Sequence, residues 1–167
     1  MYHLNHINKW WDKEYIDLEY IPTKFNNNDD IERWEELGFL LRENVGSRYI
    51  ASNIDSEQVW IKKFYSVFYG KDMGITIFKM CTGDIIPYHS DSYNFYRHAH
   101  NIADPTKICR TVIFLEDWKP GHIFEIESTP ITQWIAGDCI TWDYRTPHMA
   151  ANLGPQTRYT AQITYHV

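Results

Sequence analysis

Cysteine is scarce in this chain, and so is any excess of positive charge. Three of the 167 residues are cysteine, Cys81, Cys109 and Cys139. Their odd number and wide spacing fit neither a zinc-binding pattern nor a disulfide framework. Free, mostly buried thiols in a reducing, cytoplasmic setting are expected. Lys and Arg number 16 against 22 Asp and Glu, a net charge of −6. A general nucleic-acid binder carries a strongly basic face, so nucleic acid is disfavoured as the main partner, leaving room only for a local basic groove. No charged and apolar leader opens the chain and no run of 18 apolar residues occurs, so neither a secretory signal nor membrane contact is expected. Internal repeats and low-complexity segments are absent. So are G-x-S-x-G, G-x-x-x-x-G-K-[ST] and G-x-G-x-x-G, which argues against a nucleophile elbow, a phosphate-cradling loop and a dinucleotide site.

Aromatic residues, by contrast, are abundant, with 7 Trp, 12 Tyr and 8 Phe. Such flat, partly polar side chains suit pleated surfaces and favour a mainly β fold. Hydrophobic residues at 44% and charged residues at 23% are ordinary globular usage. The length suits one domain, 1–167, able to close a core without staples. Residues 14–22 alternate loosely, as an edge strand does. Asp30 is placed to cap a helix running to about Glu43, with Ile31, Trp34, Leu37, Leu40 and Leu41 on one side and Gly46 just past its end. Ser56 precedes a second helical pattern, 57–69, in which Val59, Trp60, Phe64 and Phe68 recur and which Gly70 closes. Both stripes are expected to pack on a sheet. From residue 73 the period shortens. Eight β-like runs follow: 74–81, 84–91, 107–116, 121–128, 131–137, 138–144, 147–153 and 158–167. Short strands with frequent turn signals indicate a sandwich or barrel. The division is therefore an N-terminal helical and edge-strand support, 1–72, and a β core, 73–167. The link 92–106 is too long for a tight turn, which marks it as functional.

The chemistry is concentrated in His89-Ser90-Asp91. Residues i and i+2 of a strand face the same way, so an imidazole and a carboxylate stand side by side. A metal needs a third ligand, and His148, after Thr146-Pro147, is the natural candidate. Two His and one carboxylate on one face leave coordination positions open, as in non-haem Fe(II) oxygenases. Zinc accepts the same ligand types. Ten residues on, Arg158 and Thr160 share a strand face, and a guanidinium beside a hydroxyl is a good clamp for a carboxylate. Alternatively, Arg158 pairs with Asp138 or Glu127 on the exterior.

Together these residues resemble the 2-oxoglutarate/Fe(II)-dependent oxygenase superfamily over residues 73–167. The pattern is His89-x-Asp91, then His148 after 56 intervening residues, then Arg158-x-Thr160, with Gly137-Asp138 before the second His and Asn152 after it. Thr160 stands where the family's signature has serine. The resemblance implies a double-stranded β-helix (jelly-roll, cupin-like) core. It also implies that His89, Asp91 and His148 hold Fe(II). 2-Oxoglutarate would chelate the iron, with Arg158 and Thr160 taking its far carboxylate. Its oxidative decarboxylation would then be coupled to hydroxylation of a protein side chain or a small metabolite. The small size and the motif spacing lean toward the prolyl-hydroxylase-like branch. Substrate and oligomeric state are not legible in these residues.

Several other residues invite a role. His98 and His100 in the long link are alternative ligands or part of a lid. Arg110 points either into the barrel, to bind a substrate carboxylate or to serve as the cosubstrate clamp in place of Arg158, or outward to a salt bridge, the outward orientation being favoured. Trp142 and Tyr144 either wall a pocket or simply pack. Asp143 is a weaker third carboxylate than Asp91. Two rival functions stand beside the oxygenase: a cupin-type metalloenzyme without 2-oxoglutarate, in which Arg158 is structural, and a non-catalytic β-sandwich that uses the aromatic link as a contact surface.

Overall fold

The computed structural model describes residues 1–39, 43–51 and 57–167. In chain order the elements are β1 (Tyr2–His6), β2 (Ile21–Lys24), α1 (Asn28–Glu36), β3 (Ser47–Ala51), α2 (Val59–Val67), β4 (Lys71–Met80), β5 (Ile85–His89) and α3 (Asn94–Ala99). A 3-10 turn at Pro105–Lys107 leads into β6 (Ile108–Phe114), β7 (His122–Ile126), β8 (Thr129–Ile131), β9 (Asp138–Asp143), β10 (His148–Asn152) and β11 (Arg158–His166). The strands form two antiparallel sheets. One is ordered β1-β9-β6-β11-β4-β3-β2 and the other β5-β10-β7-β8. Two facing antiparallel sheets with these crossovers make a double-stranded β-helix.

Strand periodicity explains how one sheet serves two purposes. On β4 and β11 the pairs Ile77↔Ala161 and Ile75↔Ile163 face outward. They pack with Ile113, Leu115 and Cys139 beneath Trp60, Ile61 and Phe64 of α2 and beneath Trp11 and Tyr15. The alternate residues face the smaller sheet, where Val112, Phe114, Ile140 and Trp142 meet Phe124 and Ile126. The central strands are thus covered on both faces, which is why their sequences run nearly continuously apolar. Burying each large side chain contributes roughly 1.5–3 kcal/mol, so the aromatic stripe of α2 is a principal support of the outer face.

The eight runs after residue 73 correspond to β4 through β11, although only 129–131 of the 131–137 region and its approach is strand; 132–137 turns. Gly137, with φ +102, sits where a Cβ would overlap the carbonyl oxygen of Ile7, so the Gly137-Asp138 step lets β9 start against the N-terminal segment. All three thiols are free, and burial raises that of Cys139 to about 11.

The N-terminal expectations need correction. Residues 14–17 form a turn, and the strand comes later, at 21–24; Tyr2–His6, not anticipated, pairs with β9. Helix α1 begins after Asn27 rather than Asp30 and stops at Glu36. Gly38 (φ +84) ends it, with Gly38 N–H donating to Glu35 O and Phe39 N–H to Trp34 O, the two bonds of a Schellman cap. Among the described residues of its stripe, only Trp34 is buried, while Leu37 is exposed. Val59, placed on the stripe of α2, is also exposed. Leu40, Leu41 and the Ser56 cap lie outside the described residues. Among the described residues, no helix is long and apolar enough to cross a membrane.

Candidate metal centre and buried arginine pocket

His89 ends β5 and His148 begins β10, and the two are directly paired across the sheet. Their rings are 4.3 Å apart. Asp91 lies two residues past the end of β5 rather than on the strand, yet it still reaches the pair. Its Oδ1 is 3.9 Å from His89 Nε2 and its Oδ2 is 3.5 Å from His148 Nε2. Among the described residues, this is the group of three whose ligand atoms, all within 4.8 Å of one another, can hold a metal.

The backbone sets both tautomers. Nδ1–H of His89 donates to Pro87 O at 2.8 Å and Nδ1–H of His148 to Thr146 O at 2.9 Å. Each Nε2 is therefore left with a lone pair facing Asp91, the form a metal requires. Phe25 and Trp34 hold the His89 ring from one side; Phe124 and Trp142 hold His148. Burial, then the neighbouring His148, lowers the His89 pKa to about 4, and burial also lowers that of His148. Burial works against the Asp91 carboxylate, but Arg110, His148 and His89 together outweigh it and hold its pKa well below the usual range. Asp91 Oδ2 is buried and accepts no hydrogen bond of good geometry. Two neutral imidazoles and this under-satisfied carboxylate oxygen suit a divalent cation, and the donor set fits Fe(II) or Zn(II).

A cavity of about 120 Å³ opens in front of the triad. Its far end is built by β11, where Arg158, Thr160 and Gln162 line up at period two. Arg158 is 4% exposed and Thr160 4%. The Arg158 guanidinium lies 5.6–5.9 Å from the ring centres of Phe114, Phe124 and Trp134. Its Nη1 donates to Met80 Sδ at 3.2 Å, and its Nε has no partner. No acid forms an ion pair with it among the described residues. Asp138, one of the two exterior partners considered, is paired with His6 at 2.8 Å. Burial pulls the pKa of Arg158 down to about 10, and Glu116, itself paired with Lys119, offsets part of this. Asn152 fixes the approach to β11: its amide donates to Met80 O (3.0 Å) and Gln156 O (2.8 Å), and its Oδ1 accepts from Gly154 N–H (3.0 Å).

Arg110 turns inward, contrary to the favoured outward orientation. Nη1 is 2.5 Å from Asp91 Oδ2, and Nε and Nη2 are each 3.2 Å from Thr164 Oγ1. With its amide oxygen turned to Arg110, Gln162 accepts from Nε at 2.5 Å and Nη1 at 2.6 Å. Trp142 walls the cavity, whereas Tyr144 lies outside it, its ring tilted against Tyr93 and covered by the Arg145 guanidinium. Asp143 is turned to Thr146 and half exposed, away from the cluster. His98 and His100 do not join it; His100 stands 3.7 Å from Asp72. The 92–106 link contains α3 and lines a wider groove outside the cavity, tied down by Tyr96 to the backbone of Lys71 and Asp72. Two polar cavity residues escaped the sequence reading. Gln162 was legible as the next inward position after Thr160. Arg48, on β3, gave no signal because its short strand carries no clear alternation.

No protein-family model matches the sequence, and no curated protein is similar to it. Solved structures do resemble it in fold. A prolyl-4-hydroxylase from Pseudomonas putida superposes with a TM-score of 0.55 at 14% identity, over 92% of this chain and 95% of that one. A protein described as a predicted oxalate decarboxylase from Thermotoga maritima gives a TM-score of 0.45 at 11% identity, over 73% and 83%. The cupin domain of Schizosaccharomyces pombe Cnp3 gives 0.46 at 9%, over 78% and 66%. The chain has a double-stranded β-helix (cupin-like) fold, and its cavity carries a His-Asp-His cluster able to hold a metal.

Proposed function

We propose that this protein is a non-haem Fe(II) oxygenase that consumes 2-oxoglutarate and dioxygen, releasing succinate and carbon dioxide while one oxygen atom enters a C–H bond of the substrate. The observation that carries this reading is Arg158: a guanidinium 4% exposed, without an ion pair among the described residues, lining the same cavity as the triad. Burying an unpaired cation is costly, and a dicarboxylate spanning the cavity relieves that cost. A cupin metalloenzyme with no dicarboxylate cosubstrate leaves the arginine unexplained. The fold likeness to a prolyl-4-hydroxylase is compatible with hydroxylation and does not choose the substrate.

His89, Asp91 and His148 would hold the iron, which when bound supplies dioxygen activation and oxidising power. The chain's own residues have distinct tasks. Arg158 grips the far carboxylate and Thr160 donates to it. Pro87 O and Thr146 O fix both imidazoles as the Nδ1–H tautomer and turn Nε2 to the cavity, while burial keeps the rings neutral. Val112, Phe124 and Trp142 line the walls and exclude bulk water from the reacting face.

Oxygen-dependent conversion of 2-oxoglutarate to succinate by the iron-loaded protein tests the reading. His148→Ala should abolish it. Arg158→Met should raise the 2-oxoglutarate KM by about 100-fold or more, as expected for losing a charge-assisted bidentate contact, with metal content unchanged. An iron-loaded wild type that leaves 2-oxoglutarate intact in air would remove the proposal.

A further inference from the structure

The cavity wall holds three guanidinium groups, Arg48, Arg110 and Arg158, against one carboxylate, Asp91. Arg110 is paired with Asp91. Arg158 closes the deep end. Arg48 remains. Its Nε is buried without a partner, and it forms no ion pair among the described residues. Its guanidinium lies 5.7 Å from the ring centre of Phe25 and 5.2 Å from that of Phe78. Burial first, then the nearby Arg110, pulls its pKa down to about 10. Its position is informative. Arg48, Asp91 and Arg110 are the residues shared by the inner cavity and the wider outer groove, so Arg48 stands at the threshold between solvent and the triad.

We infer that Arg48 is a substrate-recognition residue and that the substrate carries a carboxylate, received at this threshold while the rest of the molecule faces the triad. The planar fork of arginine matches a carboxylate bidentately, and the flanking rings of Phe25 and Phe78 hold it in place. A dication on the triad would add to the positive charge and a dicarboxylate at Arg158 would cancel only its own share, so the entrance still favours an anion. A neutral substrate leaves Arg48 desolvated and unpaired, which is how a polar site rejects the wrong ligand. The inference rests on the proposed function only in taking the triad as the reacting centre. The carboxylate belongs either to a free acid or to an acidic side chain of a peptide.

The test is a ligand-observed NMR titration of the full chain with butyrate and with butyramide, in wild type, Arg48→Gln and Arg158→Met. A blocked tripeptide with a central aspartate, compared with its asparagine counterpart, distinguishes the two sources. Wild type should hold the acid about tenfold or more tightly than the amide, the scale of a charge-assisted hydrogen bond. Arg158→Met, which lacks the deep carboxylate clamp, should keep that preference, and Arg48→Gln introduced into the Arg158→Met background should erase it. Should Arg48→Gln fail to fold, Arg48→Lys retains the charge without the fork, and a weakened preference is expected. Equal binding of acid and amide by wild type, or a preference lost only in Arg158→Met, would overturn the inference. Neither readout involves 2-oxoglutarate or iron, so failure of the oxygenase reading is separately visible.

Discussion

Arg110 Nη1 stands 2.5 Å from Asp91 Oδ2, so the carboxylate proposed as a metal ligand is already paired with a cation. The contact is one of charge, since Oδ2 accepts no well-formed hydrogen bond. In the metal-free protein Arg110 occupies the electrostatic role that a divalent ion would take over. Arg110→Met should therefore destabilise the metal-free protein by about 3–5 kcal/mol, the cost of stranding one member of a buried pair. A metal restores a partner to Asp91, so Mn(II) should raise the Tm of the variant more than that of wild type. Differential scanning fluorimetry checks this; an equal or smaller shift in the variant would show that Arg110 aids metal binding instead.

Arg158 offers the opposite trade. It is a buried cation with no ion pair among the described residues, in an aromatic setting, and methionine is close to it in length and apolar. Arg158→Met should leave the ligand-free protein as stable as wild type or stabilise it by about 1–4 kcal/mol. It should at the same time weaken 2-oxoglutarate binding by about 100-fold. Urea unfolding and equilibrium dialysis measure the two effects, and a strongly destabilised variant would mark Arg158 as structural.

Asn152 is fully engaged in structure, with three hydrogen bonds that join the β10–β11 connection to Met80. Asn152→Ala should cost about 2–4 kcal/mol, as each lost bond contributes about 1 kcal/mol and leaves a buried group unsatisfied. Chemical denaturation measures this, and a loss under about 0.5 kcal/mol, typical of an inert surface change, would contradict the role.

Both imidazoles titrate below their ordinary value because burial disfavours their charged form, His89 at about 4. As pH falls from about 6.5, the unfolded chain binds protons that the folded chain refuses. Stability of the metal-free protein is thus full above that range and declines as pH drops toward about 4. Asp91 does not offset this, because its depressed pKa keeps its contribution until the carboxylate range is passed. Burial of Asp30 and Asp84 raises theirs, and these two pull the other way only near that range. The urea midpoint should fall between about pH 7 and 5, and His89→Gln should flatten the slope; a wild-type midpoint constant across that interval would refute the assignment.

The β core was legible because its period is short and its turns are marked, and His89-x-Asp91 was legible because two residues suffice to state it. The convergence of His148 on that pair depends on β5 and β10 lying side by side, which spacing suggests but only long-range pairing decides. Arg110 misled because the alternation of β6 cannot say which face is inward when both faces are buried. Arg48 stayed silent because β3 is short and its first four residues, Ser47 to Ile50, are all only partly buried, so no inward-outward alternation marks a face. Helix α1 was overextended because the stop at Gly38 was passed over in favour of Gly46.

The most direct measurement is an anaerobic titration of the metal-free protein with Fe(II) and then 2-oxoglutarate, followed in the visible range. A charge-transfer band that saturates at one equivalent and disappears in both His89→Ala and Arg158→Met is the result expected if the triad and the buried arginine serve one cosubstrate. Stoichiometric iron binding with no such band would contradict the oxygenase reading and leave a metal-binding cupin whose buried arginine answers to another anion.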